Sequence, residues 1–432
     1  MNQDFRKTPP AVSETESLTL PGLETILLPS GLTLKIYRRP DMQLVYLSVL
    51  CAGGQAEAGS PAVAALTSIL QREGSRGYSG KEIADRLDYN GAWTKSNATS
   101  HHLQQSIYVL GNRFADVIPV FADMVARPVF PDTEFEVRRD HLAGNLRIAL
   151  ENVSYLSRCR ADALIMGESH PLAATDTPES IMRLTPARLA AFHASVMSAA
   201  STTVFICGNV TAPMIDTVAE AFSRVIPAAP PTPLNITPFR RSPLRRPVIV
   251  PKPDATQSSV AITLPGVPRT HPDYLPLHLS VFALGGYFGS RLMLNIREEK
   301  GLTYGINASL QGYADGSFID ITAETDNAYV GRVIEEVGAE LLRLADNPPE
   351  ADELRRMRRS ATLLQSSLLD SPLSIVDHHI NHCISALPEG YFNAKQQAIN
   401  QLTPDTIARI ARRYLNPALM QVTVAGNPAE PL

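Results

Sequence analysis

The stretch that decides the fold begins at Leu184-Thr185-Pro186 and ends in Thr203-Val204-Phe205-Ile206-Cys207-Gly208-Asn209, an apolar run followed by a turn. The residues between the two ends follow a helical pattern. The same features recur from Leu402-Thr403-Pro404 to Val422-Thr423-Val424-Ala425-Gly426-Asn427, and both ends are displaced by 218 residues (402 − 184 and 426 − 208). Each threonine can cap a helix, and each proline then takes the first helical position, where its missing N–H costs nothing. The chain therefore repeats a helix-to-strand unit.

Two further pairs of landmarks lie inside the halves. Gly74-Ser75-Arg76 matches Gly289-Ser290-Arg291, 215 residues later, and Asn97-Ala98-Thr99 matches Asn307-Ala308-Ser309, 210 residues later. Landmarks in the same order with a slowly drifting offset predict a duplicated domain of about 200 residues.

Proline separates the two copies. The segment 226–234 contains four prolines and can form neither a helix nor a central strand. We therefore expect a polar N-terminal extension over residues 1–17, one domain over 18–226, a Pro- and Arg-rich linker over 227–248, and a second domain over 249–432.

The local patterns favour an α+β fold with mainly antiparallel sheets. Thr25–Leu28 and Leu32–Tyr37 are apolar runs on either side of a Pro-Ser-Gly turn, which is typical of a hairpin. Ser60-Pro61 opens a helix with apolar residues on one face, and Ser79 to Glu82 forms a capping box that opens another. Clusters of strands followed by helices predict helices packed against a mainly antiparallel sheet.

The composition excludes several classes of protein. Of 432 residues, 44% are apolar and 19% charged, and the net charge is −4, which fits a folded globular chain. The sequence has no stripe of lysine and arginine of the kind that binds nucleic acid. No apolar run reaches the roughly 18 residues that a membrane span needs. The four cysteines lie far apart in the sequence, which predicts free thiols. The first ten residues lack the apolar core of a secretion signal, so we expect a cytoplasmic protein, or a periplasmic one if a signal has been trimmed.

A longer motif fills part of the second half. It reads Leu284-Gly285-Gly286-Tyr287-Phe288-Gly289-Ser290-Arg291-Leu292 and continues as Ile296-Arg297-Glu298-Glu299-Lys300-Gly301-Leu302-Thr303-Tyr304. This glycine-rich turn, followed by Ser-Arg-Leu, Arg, Gly-Leu and Tyr, resembles the C-terminal-domain signature of the insulinase/pitrilysin zinc peptidases, which include mitochondrial processing peptidase. In the first half, His170-Pro171 and Thr177-Pro178-Glu179-Ser180-Ile181 resemble the stretch before that family's domain-closing helix. The resemblance implies two homologous α+β domains that form one half of a clamshell around a peptide.

The sequence departs from this family at its zinc site. The resemblance implies a His-x-x-Glu-His motif on the first long helix, with two zinc ligands, a glutamate that acts on water, and a distant third ligand. Aligned on the glycines at 53–54 and 74, the motif positions here are Ala65, Leu66, Thr67, Ser68 and Ile69, and the third ligand falls near Asn145. None of these side chains can coordinate zinc as imidazole or carboxylate would. We therefore expect no metal in this chain and zinc in a partner subunit.

A second part of the family's chemistry is present. The family places an Arg and a Tyr seven residues apart, which reach across the clamshell to the zinc site of the other half. Arg297 and Tyr304 have this spacing, whereas the equivalent first-half positions are Leu87 and Thr94. A guanidinium can hold peptide carbonyls, and a tyrosine hydroxyl can donate to the oxyanion that forms when water attacks a peptide bond.

These observations predict the non-catalytic subunit of a heterodimeric zinc metallopeptidase, inactive alone. A homologous partner would carry His-x-x-Glu-His, and Arg297 and Tyr304 would act on a peptide substrate in trans. The alternative is a non-enzymatic scaffold or peptide-binding homologue, like the core proteins of a respiratory complex. A further alternative is an independent hydrolase that uses His378 and His382, which lie four residues apart and would share a helical face. The adjacent pair His101-His102 is interpreted as an ordinary strand end.

Overall fold

The computed structural model describes residues 18–244 and 246–432. The extension predicted over residues 1–17 lies outside this range. Between Ser223 and Val248 the described residues form neither helix nor strand, in the region where the linker is predicted. The domain boundaries at 226 and 248 remain predictions.

The strands form two sheets, one in each half of the chain. The first sheet has the order β1-β2-β6-β3-β5-β4 and the second has the order β7-β11-β8-β10-β9. The strands are β1 (Glu24–Leu27), β2 (Thr33–Arg38), β3 (Leu44–Ala52), β4 (Trp93–Ala98), β5 (His102–Leu110), β6 (Thr202–Gly208), β7 (Val248–Pro251), β8 (Gln257–Pro265), β9 (Thr303–Gly312), β10 (Ser317–Asp326) and β11 (Gln421–Gly426).

The two sheets have the same topology once β1 is set aside. In each, one parallel pair (β2 with β6, β7 with β11) is followed by three antiparallel pairings. The extra strand β1 pairs antiparallel with β2, as the predicted hairpin requires. The structure therefore confirms the α+β class with mainly antiparallel sheets.

Fifteen helices, counted over the described residues, surround the sheets. They are α1 (Gln55–Ala58), α2 (Pro61–Leu70), α3 (Gly80–Tyr89), α4 (Phe114–Ala126), α5 (Asp132–Ala149), α6 (Val153–Met166), α7 (Pro178–Met182), α8 (Pro186–Val196), α9 (Ala212–Ser223), α10 (Tyr274–Gly285), α11 (Val330–Asp346), α12 (Ala351–Ser367), α13 (Pro372–Ile384), α14 (Tyr391–Gln401) and α15 (Pro404–Tyr414). A π-helical segment, Met293–Glu299, precedes β9.

Most of the helix caps follow the sequence prediction. The Ser60 side chain accepts the Val63 N–H, and Ser79 forms its capping box. Thr403 caps α15 through its side chain, but Thr185 makes no such bond at the start of α8. The prediction that both threonines act as caps is therefore wrong for Thr185, where proline at the first position alone marks the helix start.

One face of each sheet holds that half's main core. In the first half, α4 and α9 cover this face with large apolar side chains such as Phe121 and Phe222. In the second half, α10, α11 and α15 cover the matching face, where Leu341 and Ile410 are fully buried.

The opposite faces of the sheets are covered by exchanged helices. Helix α6 of the first half lies against β8 and β11 of the second sheet, where the hydroxyls of Ser157 and Ser259 are 2.8 Å apart. Helix α13 of the second half lies against the first sheet, where Val376 and Ile380 pack with Phe205. Because α13 begins 219 residues after α6 (372 − 153), the two helices are equivalent elements of the repeat. Each copy thus covers the other copy's sheet.

Within the described ranges, no helix combines the length and the apolar character needed to cross a membrane.

Candidate functional site

Arg297 and Tyr304 lie on either side of a tight turn at one edge of the second sheet. Arg297 belongs to the π-helical segment, which Ile296 anchors in the core. Gly301 then turns the chain with φ of +60°, in the left-handed region that glycine adopts without strain, and β9 begins two residues later. Tyr304 follows on β9, the edge strand of the sheet.

A β-bulge presents Tyr304 to solvent. The register of β9 against β10 shifts between Ala323 and Thr325, next to this tyrosine. Bulges bend a strand and redirect a side chain, and they occur often beside active sites. The Tyr304 side chain is 90% exposed, and its hydroxyl forms no hydrogen bond with any residue in the described part of the chain. An exposed and unpartnered phenol is available to a group brought from outside.

The Arg297 guanidinium is held in place without being neutralised by a buried partner. Its central carbon lies 5.1 Å from the centre of the Phe288 ring, and one nitrogen lies 2.8 Å from the Glu298 carboxylate. Phe288 is 66% exposed, although it belongs to the glycine-rich motif. The attraction between a guanidinium and an aromatic ring helps to hold the Arg297 side chain beside Phe288.

Both side chains border one open recess of about 470 Å³. Glu298, Glu324 and Asp326 also line it, so the recess combines one guanidinium and one phenol with several carboxylates. The structure thus brings together the two residues that the sequence singled out, and it adds Phe288 as a support for Arg297. Such an arrangement can hold a peptide backbone by hydrogen bonds.

The positions of the missing zinc motif lie on α2. Leu66, Thr67 and Ser68 are buried in the first half, and Ser68 accepts hydrogen bonds from the Gln105 amide. Ala65 lies in the wall of a cavity, and Asn145 is exposed on α5. These side chains do not fit a zinc ion, because none offers an imidazole, thiolate or carboxylate. Over residues 18–244 and 246–432, no group of three or more His, Cys, Asp or Glu could hold a metal ion.

The pair His378 and His382 lies on α13, as its spacing predicts. The two ring centres are 4.6 Å apart, and both Nε2 atoms are buried without a hydrogen-bond partner. Burial lowers the pKa of His378 to about 4, with further lowering from the charges of His382, His379 and Lys395. No carboxylate or thiolate completes a metal site around them in the described residues, so the geometry gives no support to the alternative hydrolase.

His101 has a role that its interpretation as an ordinary strand end missed. Strand β5 begins at His102, and the His101 ring is buried just before it. Its Nδ1 lies 3.0 Å from Glu57, and its Nε2 lies 2.6 Å from Asp315 in the second half. The backbone N–H groups of Asn235 and Thr237 donate to these same carboxylates. No local sequence signal could have revealed this bridge, because Asp315 lies 214 residues from His101.

Comparison with known proteins agrees with the α+β fold. Residues 183–361 match the family model described as the Peptidase M16 inactive domain. An uncharacterized zinc protease of Mycobacterium leprae is 25% identical over 332 residues, which cover 72% of this chain and 71% of the relative. The uncharacterized zinc protease YmxG of Bacillus subtilis is 19% identical over 354 residues, which cover 80% of this chain and 85% of the relative.

Solved structures share the fold over nearly the whole chain. The peptidase M16 inactive domain from Pseudomonas fluorescens superposes with a TM-score of 0.82 at 23% identity, covering 94% of this chain and 98% of that one. A protease from Helicobacter pylori gives a TM-score of 0.84 at 17% identity, covering 94% and 100%. The chain is therefore similar in sequence to M16-type zinc proteases and has the fold of the M16 inactive domain.

Proposed function

We propose that this chain is the non-catalytic subunit of a heterodimeric zinc metallopeptidase of the mitochondrial-processing-peptidase-like type. A homologous partner carries His-x-x-Glu-His and the zinc ion, and this chain completes the chamber that holds the peptide. Arg297 and Tyr304 act in trans on the substrate. The observation that carries the proposal is a half-buried Arg297 and an exposed Tyr304 on one recess, in a chain whose own zinc-motif positions offer no ligand.

The geometry of the pair suits this role. The Tyr304 hydroxyl has no partner in the described residues, so it can donate to the oxyanion that develops on a scissile carbonyl. The Arg297 donors can hold a neighbouring carbonyl of an extended peptide. Both residues lie within the segment 183–361 that matches the inactive-domain family. The relatives named zinc proteases support the chemistry of the proposed partner.

A native pull-down identifies the partner. The tagged full-length chain is purified from its own cells, and co-purifying proteins are identified by mass spectrometry. We expect a stoichiometric partner that carries His-x-x-Glu-His. A chain that returns alone or as a homodimer would instead support the scaffold or peptide-binding alternative.

Kinetics of the purified complex then test the two residues. Removing one oxyanion donor costs roughly 100- to 1,000-fold in kcat, so Tyr304→Phe and Arg297→Ala should each lower turnover by about that range. Assembly should be unchanged, because neither side chain contributes to the buried core. Tyr89→Phe, at another highly exposed tyrosine, is the matched control. Unchanged turnover in both variants would overturn the trans role.

A further inference from the structure

A cavity of about 360 Å³ lies where α2 faces α5, α6 and the turn at 171–176. We call it the α2–α6 cavity. Its apolar wall includes Ala62, Ala65, Leu142, Leu146, Leu172 and Ile181. A water molecule occupies about 30 Å³ in the liquid, so the cavity has room for a long side chain. Ala65, the first position of the aligned zinc motif, contributes no bulk here, and the space between α2 and α5 stays open.

The polar side of the cavity carries unpaired charge. Helix α6 contributes Arg158 and Asp162, one turn apart, to the lining. Asp320 on β10 is not part of the lining, but its charge acts on Asp162. Neither the two carboxylates nor the guanidinium forms a hydrogen bond or ion pair with another residue in the described part of the chain. Asp176, the remaining acidic group in the wall, is already used, because it accepts from the Ser60 hydroxyl and from the backbone N–H of Ala62.

Around Asp162, two carboxylates (Asp162 and Asp320) face only one guanidinium (Arg158), so the net charge is negative. Burial raises the pKa of Asp162 to about 7, the negative charge of Asp320 raises it further, and only Arg158 opposes them. Burial also raises the pKa of Asp320. A buried carboxylate without a partner is costly, and a cation placed beside it removes that cost.

We propose that the α2–α6 cavity binds the side chain of a lysine or arginine from a peptide. The methylene stem lies along the apolar wall, and the cationic head meets Asp162, on which the charge of Asp320 also acts. A lysine or arginine side chain has an apolar stem and a charged head. The cavity wall likewise has an apolar part and a part that carries the Asp162 carboxylate. A neutral apolar occupant would bury the carboxylates further without a partner, and an anion would face net negative charge. The site belongs to this chain alone and does not depend on the proposed pairing with a zinc-bearing partner.

The test uses the isolated full-length chain and two probes of equal length. Isothermal titration calorimetry is run with n-hexylammonium and with n-hexanol. We expect saturable one-to-one binding of the ammonium and at least about tenfold weaker binding of the alcohol, because only the ammonium forms a charge-assisted bond. Asp162→Asn should weaken ammonium binding by at least about tenfold, whereas Asp116→Asn, at an exposed aspartate elsewhere, should not change it. Asp162→Asn keeps the shape of a half-buried side chain and removes only its charge, so the variant is expected to fold.

A thiol measurement locates the probe. Cys159 lines the cavity, while Cys51 and Cys207 are fully buried, so in a Cys383→Ser background maleimide labelling reports on Cys159. Hexylammonium should slow this labelling, and Ala65→Leu, which narrows the cavity, should abolish the protection. The proposal is overturned if the alcohol binds as well as the ammonium, if Asp162→Asn leaves binding unchanged, or if neither probe binds. None of these results would affect the partner experiment with Arg297 and Tyr304.

Discussion

The bridge from Glu57 through His101 to Asp315 predicts a specific dependence of stability on pH. Burial alone would lower the pKa of His101, but its hydrogen bonds to Asp315 and Glu57 outweigh this effect and raise the pKa to about 9. The same contacts hold the pKa of Glu57 and Asp315 below their usual values, although burial opposes this. Around the bridge, His170 also lies 3.7 Å from Asp315. The imidazolium is therefore stabilised by folding.

The sign of the effect follows from proton binding. An unfolded histidine loses its proton near pH 6.5, whereas folded His101 keeps it to about pH 9. Between these values the folded state binds more protons than the unfolded state, so stability falls as pH rises. The contribution is fully present below pH 6.5 and is lost by about pH 9. A difference of about 2.5 pKa units corresponds to about 3 kcal/mol.

The variant His101→Gln should therefore lose stability at neutral pH. It leaves Glu57 and Asp315 buried without a counter-charge, and breaking such a pair typically costs about 3–5 kcal/mol. Urea unfolding of the full chain, followed by circular dichroism at pH 6.5 and 9.5, measures both effects. The wild type should lose about 3 kcal/mol between these pH values, and His101→Gln should lose little. His141→Gln, at an exposed histidine on α5, is the control. An equal loss in wild type and His101→Gln would refute the reasoning.

Two matched pairs of substitutions test smaller features of the repeat. Gly208→Ala places a Cβ 2.6 Å from the carbonyl oxygen of Leu44 at a φ of +135°, so the free energy of unfolding should fall by about 1–3 kcal/mol. Gly144→Ala lies in α5 with open space around it, so in thermal unfolding it should be neutral or stabilise the chain by about 0.5–1 kcal/mol. Thr403→Ala removes a side-chain cap and should cost about 1 kcal/mol, whereas Thr185→Ala, at the equivalent threonine without that bond, should cost clearly less; equal costs would contradict the capping argument.

The sequence was sufficient for the parts of the fold that depend on local pattern. The displaced landmarks predicted a duplication, and the two sheets have the same topology. The hairpin β1–β2 and the starts of α2 and α3 follow from turn and cap residues that act over a few positions. The spacing of Arg297 and Tyr304 was also visible, and the structure places both on one recess.

Features that join distant parts of the chain could not be predicted. The exposure of Tyr304 depends on a bulge in the pairing of β9 with β10, and Asp315 reaches His101 across 214 residues. The α2–α6 cavity depends on how far α5 and α6 stand from α2. Asp162 belongs to no motif that the sequence reveals. What sets it apart from other helical aspartates is the raised pKa that burial and the charge of Asp320 give it.

The exchange of α6 and α13 bears on how such a chain can arise and assemble. A single copy of the repeat would leave one sheet face bare, because the helix that covers it belongs to the other copy. Two separate copies could cover each other by the same exchange, as a symmetric swapped dimer does. Joining them through the linker predicted over 227–248 turns that association into an intramolecular one, with a much higher effective concentration. Cutting this segment should therefore leave two fragments that stay together, and neither fragment should be stable when it is made alone.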